Sequence, residues 1–210
     1  DDWGHWFGTQ NSRPLWHYVL PDHYLRRNLH FAAPEGRVLI PGQLNPPVAP
    51  KSLPQKRFHS LQHSGHYTSA CSGMIFRGTL FSENEINGFA CEPFHNLAQR
   101  IKIEDDGGSY KGARYSAEGV PDFFASSDRW CRPVMIRNGP DGNLWVADMY
   151  RYVIEHMQWL KTGGKEELEP LSREGDDRGR IWRVRKAGSK PAAPLDLEKA
   201  DLVDLLKSPN

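Results

Sequence analysis

Glu92, His95 and Asn96 fall within the six residues CEPFHN (91–96), so a carboxylate, an imidazole and an amide share one short stretch. An imidazole there could transfer protons near neutral pH. Equally, Glu92 and Asn96 could satisfy backbone amides in a structural turn. Arg132, with Arg129 three residues before it, offers guanidinium forks suited to an anionic ligand. The alternative for Arg132 is an ion pair with Asp128. Asp148 and Arg151 close the run NLWVADMYR and could orient a ligand, although a plain salt bridge is the favoured reading. His59, His63 and His66 stand four and three apart in HSLQHSGH. On a helix that spacing would align three zinc ligands. The Ser-Gly between the last two favours a solvated loop instead, so no metal ligand is assigned there.

Composition limits what such residues can serve. The chain has 210 residues, enough for one large domain or two small ones, and enough to bury a core. Seven Trp and 16 Pro describe a turn-rich chain leaning to all-β. A net charge of +1 gives no electrostatic footprint for nucleic acid. No apolar run approaches the roughly 18 residues of a membrane span. Cys71, Cys91 and Cys131 form no CxxC or CxxCH pattern and read as buried thiols.

Seven short segments carry strand signals: 5–10, 73–78, 88–93, 98–104, 130–138, 143–150 and 179–185. Each is rich in aromatic or β-branched residues, and turn formers flank nearly all of them. Residues 28–66 are Pro- and His-rich and read as a long insertion loop. Residues 186–197 have linker composition. After them, Leu202, Val203, Leu205 and Leu206 share one face of a helix expected over 198–207.

Three segments repeat one design. DDWGHWFGTQNS, EINGFACEPFHN and PDGNLWVADMY each run from a polar turn through apolar residues to a polar end. That pattern predicts antiparallel four-stranded blades of a partial β-propeller, with a short C-terminal α-helix. Residues 1–185 would be the propeller arc and 198–210 the start of a helical repeat. In that arrangement Gln10, Glu92 and Asp148 end inner strands at one mouth of a channel, with Arg132 beside them. The ends of the chain read as lying inside structure, as in a piece of a longer protein.

The run from SACSGMIFRG through CEPFHN, RWCRPVMIRN and GPDGNLWVADMY to GRIWRV resembles the glucose/sorbosone dehydrogenase family of six-bladed propellers. NSRPLWHYVLPDHYLRRN, CEPFHN and DMYRYVIEH are similar to hallmarks of its planctomycete-type membrane-bound dehydrogenase branch. The resemblance implies an oxidoreductase that takes a sugar or alcohol substrate and uses pyrroloquinoline quinone (PQQ) with calcium. It implies a periplasmic or extracytoplasmic location, HEAT-type helices after the propeller, and electron transfer to a c-type haem in a separate cytochrome-type domain. Arg132 matches the family's quinone-contacting Arg, and Arg129 could stand in for a second one only if the strand bulges. Gln10 and Asn11 fall near the family's calcium-binding segment. The family's cofactor-binding Lys has no counterpart, since Phe94 or His95 occupies its place, and the general base would come from blades outside this chain. The rival expectation is a non-catalytic propeller/HEAT module that binds carbohydrate or serves assembly.

Overall fold

A computed structural model describes residues 1–52, 65–78, 80, 81, 84–189, 201 and 203. The chain is all-β, built from three antiparallel sheets. The first joins β1 (Trp6–Gln10), β2 (Arg13–Tyr18) and β3 (Arg37–Ile40) in that order. A short helix, α1 (Asp22–Leu25), lies between β2 and β3. The second sheet has the order β4 (Cys71–Ile75), β5 (Ile86–Glu92), β6 (Leu97–Asp106), β7 (Ser109–Arg114). A two-residue strand, β8 (Phe124–Ala125), pairs with β6 at Leu97 and Ala98, beyond the stretch that β7 covers. The third sheet joins β9 (Pro133–Asn138), β10 (Leu144–Asp148) and β11 (Arg180–Val184), and α2 (Thr162–Leu168) sits in the connection between the last two.

All seven expected strands form. The middle sheet is a four-strand meander with β8 added, while the outer two have three strands each among the described residues. Part of the expected loop at 28–66 is a strand instead. β3 adds to β2 with Leu15 opposite Ile40 and Tyr18 opposite Arg37, because Ile40 completes an apolar cluster there. Apart from Asp201 and Val203, the helix expected over 198–207 lies outside the described residues, as does most of the linker before it. Among the described residues, no helix is long and apolar enough to cross a membrane.

The sheets stack side by side. Leu15, Ile40, Ile101, Ile103 and Tyr110 fill the space between the first and second. Phe76, Phe89, Ile136, Leu144 and Val146 fill the space between the second and third. β5 and β6 therefore face apolar neighbours on both sides, and their sequences INGFACE and LAQRI are buried almost continuously rather than alternately.

Ser72-Gly73 is where the three sheets meet. A Cβ on Gly73 would stand 2.7 Å from Thr9 Oγ1 and 2.9 Å from Pro14 O, so only glycine lets the first sheet come this close. Ser72, at φ 56°, bulges the other way, and its hydroxyl accepts from the Ile136 N–H at 2.9 Å.

These contacts also fix strand direction. Ala70 N–H donates to Asn11 O, Gly73 N–H to Thr9 Oγ1 and Arg77 to Asp2, so β1 runs antiparallel to β4. Cys71 touches Val134 O and Ser72 touches Ile136, so β4 and β9 run the same way. It follows that β1, β5 and β10 share one direction, and that Gln10, Glu92 and Asp148 end them on the same side of the stack. The three repeated segments are these three strands. In the second and third sheets they are second strands rather than edge strands, since β4 and β9 precede them. The described residues form an open row of sheets and no closed ring.

Phe89 is fully buried, with ring contacts to Phe76, Phe81 and Phe123. Phe89→Ala is expected to lower unfolding free energy by about 3–5 kcal/mol in urea titration. Ile86→Ala on the same strand, where the side chain is 37% exposed, should cost less than about 1 kcal/mol.

Candidate functional site

β5 ends in a polar turn that the rest of the molecule grips. Pro93 starts a 3₁₀ turn, Pro93–His95, and Asn96 closes it in the left-handed region at φ 59°, which Asn tolerates better than most residues. The Asn96 amide donates to Cys131 O at 2.6 Å and to Arg129 O at 3.2 Å, and its oxygen accepts from the Ser52 hydroxyl at 2.6 Å. Glu92 is 0% exposed. Its carboxylate accepts from the backbone N–H groups of Thr68 and Ser69, at 3.1 and 2.9 Å, and from both hydroxyls. His95 Nε2 accepts from Gly65 N–H at 3.0 Å, so Nδ1 carries the ring proton, facing Glu92 Oε1 at 3.4 Å.

Arg132 enters the same cluster from the segment before β9. It is 5% exposed and makes no contact with open solvent worth the name. Nε donates to Arg151 O at 3.0 Å and Nη2 to Tyr152 O at 2.7 Å. Nη1 donates to Pro93 O at 3.1 Å and Phe94 O at 3.4 Å. Glu155 Oε1 lies 3.9 Å from Nη2 and supplies the compensating charge. Burial pushes the guanidinium below its ordinary value, and Glu155 works against that shift. Four of the five N–H donors of its fork are thus spent on backbone carbonyls, and the carboxylate of Glu155 lies beside the remaining Nη2 hydrogen.

Asp148 is the third anchor. One oxygen accepts from the backbone N–H groups of Arg132 at 2.7 Å and Tyr150 at 2.9 Å. The other takes Arg180 Nε at 2.9 Å and the Trp182 indole at 3.1 Å. Burial alone would raise this carboxyl. The donors from Arg132 N–H, Trp182, Arg180 and Cys131 outweigh it and hold Asp148 below the usual carboxylate value. The neighbouring Cys131 thiol is pushed up to about 12, by burial first and by Asp148 second.

The structure thus brings Glu92, His95, Asn96, Arg132 and Asp148 to one end of the sheets, and they fill it rather than line an open cavity. Two expected pairings do not form. Asp128 pairs with Arg180, at 3.3 Å, and not with Arg132. Arg151 pairs with Asp176 and not with Asp148. In both cases Arg180 and Asp176, from residues after β10, supply partners that linear proximity could not reveal. Arg129 lies half-buried in a turn before β9, not on a bulged strand.

Gln10 and Asn11 are exposed on the same side of the stack, and the Asn11 carbonyl already accepts from Ala70 N–H. Neither touches the buried cluster. Among the described residues, no three His, Cys, Asp or Glu side chains group closely enough to hold a metal. His59 and His63 lie outside the described residues, and His66 is exposed beside Pro47. Among the described residues at this end, Arg132, Glu92 and Asp148 are engaged by protein partners rather than directed at an open cofactor site.

Sequence reasoning passed over an aromatic group beside the cluster. Trp130 packs with Tyr150 at 5.6 Å and Tyr152 at 5.4 Å between ring centroids, with Arg178 5.9 Å above the indole. All three rings keep some open surface. The signal was present in RWCRP and DMYRY, whose aromatics sit next to the polar residues that drew attention instead.

These features define an all-β module whose shared end is sealed by a buried polar cluster. The chain belongs to the family described as domain of unknown function (DUF7133), whose model matches residues 1–188. No curated protein and no solved structure matches it.

Arg132→Lys keeps the charge and loses the fork. It should destabilise the protein by at least about 3 kcal/mol, because carbonyls at this end are left without donors. Chemical denaturation measures this directly. Asp148 carries a separate, pH-dependent expectation. Its folded pKa lies below the ordinary 3.8, so its stabilisation is present above that value and is lost as pH falls through the folded pKa. Asp148→Asn should be less stable than the parent at pH 7, by about 3–5 kcal/mol. The gap should narrow in melts recorded below roughly pH 4.

Proposed function

We propose that this chain is a non-catalytic carbohydrate-binding module, with Trp130, Tyr150 and Tyr152 as its binding face. Sugar rings present C–H faces that pack on aromatic rings, and hydroxyls that take hydrogen bonds from charged neighbours. The ring group, with Arg178 beside it, has both features. The observation that carries the reading is the hold on Arg132 by the carbonyls of Pro93, Phe94, Arg151 and Tyr152, which take four of its five N–H donors, with Glu155 alongside. Glu92, His95 and Asp148 are likewise occupied by backbone and side-chain partners. A side chain so held neither moves a proton to a substrate nor grips a cofactor without breaking the end of the fold.

A second reading keeps the dehydrogenase. It is favoured by the ordered motif set between Ser69 and Val184, and by the convergence of three strand ends on one side of the stack. On that reading the base, the quinone contacts and the calcium ligands all come from outside this chain. The polar cluster then braces one wall of the site. A haem-bearing partner and a periplasmic or extracytoplasmic location belong to this second reading, while HEAT-type helices after the sheets are common to both.

Titration of the full-length protein separates the two. An oligosaccharide panel followed by tryptophan fluorescence should show saturable binding, lost at least tenfold in Trp130→Ala with little change in melting. PQQ with calcium should produce no sugar-dependent dye reduction. Dye reduction that requires both would sink the non-catalytic reading. Binding indifferent to Trp130→Ala would remove the aromatic face from it.

A further inference from the structure

Cys71 and Cys91 are direct partners across the β4–β5 ladder. Both kinds of antiparallel pair leave Cα atoms about 4.5–5.5 Å apart, inside the range a disulfide spans. Cys71 sits where the ladder register slips, next to the bulge at Ser72, so its backbone has room to adjust. The two thiols differ in access. Cys91 is fully buried in the core between the second and third sheets, while Cys71 is only partly covered. Cys131, the third thiol, belongs to the Asp148 cluster rather than to this ladder.

We propose that Cys71 and Cys91 form a thiol–disulfide site, in which a small-molecule disulfide closes a cross-strand bridge. Cys71 is the attacking group. The Cys91 thiol hydrogen-bonds it and lowers its pKa, while that bond and burial hold Cys91 up. The Cys71 thiolate attacks one sulfur of the reagent, whose S–S bond breaks and releases one thiolate. Cys91 then loses its proton to solvent, and its sulfur displaces the second reagent thiol from Cys71. The two protein thiols give up two electrons, and the reagent leaves as two thiols. The bridge joins neighbouring strands without moving either sheet face, so it staples β4, the strand that touches both flanking sheets.

The test is exposure of the folded full-length protein to glutathione disulfide, an acid quench, alkylation and a non-reducing peptide map. A Cys71–Cys91 linked peptide is expected, with Cys131 alkylated only after unfolding. Cys91→Ser should stop at a glutathione adduct on Cys71, which reports the order of attack even if that variant is less stable. The linked protein should melt roughly 5–10 °C higher than the reduced one. Separate alkylation of Cys71 and Cys91 after exposure would overturn the proposal, as would a link through Cys131. A linked form that melts no higher than the reduced protein would overturn its role as a staple.

Discussion

The guanidinium of Arg132, planted among the carbonyls of Pro93, Phe94, Arg151 and Tyr152, is the constraint on which this end of the molecule depends. Those carbonyls belong to two separate chain segments, the turn after β5 and the segment after β10. Neither segment offers the other a backbone partner. A buried carbonyl without a donor is costly, so the two can meet only around a side chain with several donors in one plane. Arg is the one residue that provides this. Its own backbone N–H goes to Asp148, which holds Arg180 and Trp182 from β11. One buried fork therefore connects the second sheet, the third sheet and the long connection that follows β10.

The same logic explains why the polar residues here look catalytic and are occupied structurally. Loops that cross the end of stacked sheets carry N–H and C=O groups that no strand can satisfy. Side chains with several acceptors or donors must take over. Glu92 receives the loop at Thr68 and Ser69, His95 receives Gly65, and Asn96 bridges Ser52 to the turn at Arg129 and Cys131. Carboxylate, imidazole, amide and guanidinium are also the groups that enzymes use on substrates. Residue type and spacing cannot separate the two uses; the identity of the hydrogen-bond partner does.

What the amino-acid sequence revealed follows from where side chains are buried. Seven strands are visible because each carries aromatic or β-branched residues between turn formers, even β11, whose central residues are exposed. The missed strands are those whose burial is slight or is masked by turn-forming neighbours. β7, SYKGAR, buries only Tyr110 fully. β2 buries Pro14 through His17 but opens Arg-Pro, which reads as a turn, and β3 is four residues inside a Pro-rich stretch. The convergence of Gln10, Glu92 and Asp148 was readable because strand direction repeats with the motif. The partners were not, because Arg180 and Asp176 reach Asp148 and Arg151 only after the chain has passed through α2 and returned.

The division between core and end has a mechanical consequence. Apolar packing between sheets is strong but has little directional preference, so the clusters around Leu15 and Phe89 would tolerate small sliding of one sheet past the next. Directional contacts remove that freedom at two places. Ser72-Gly73 pins β4 between β1 and β9 near the start of the strand. Arg132 and Asp148 pin the third sheet to the second at the adjoining end. Both pins act on the side of the stack where β1, β5 and β10 finish, whereas the opposite side joins its sheets through more exposed contacts, such as Arg77 to Asp2 and the Arg77 N–H to Asn138. The ordered motifs of this chain thus mark places where register between sheets is set, and the rings of Trp130 and Tyr150 lie beside one of them.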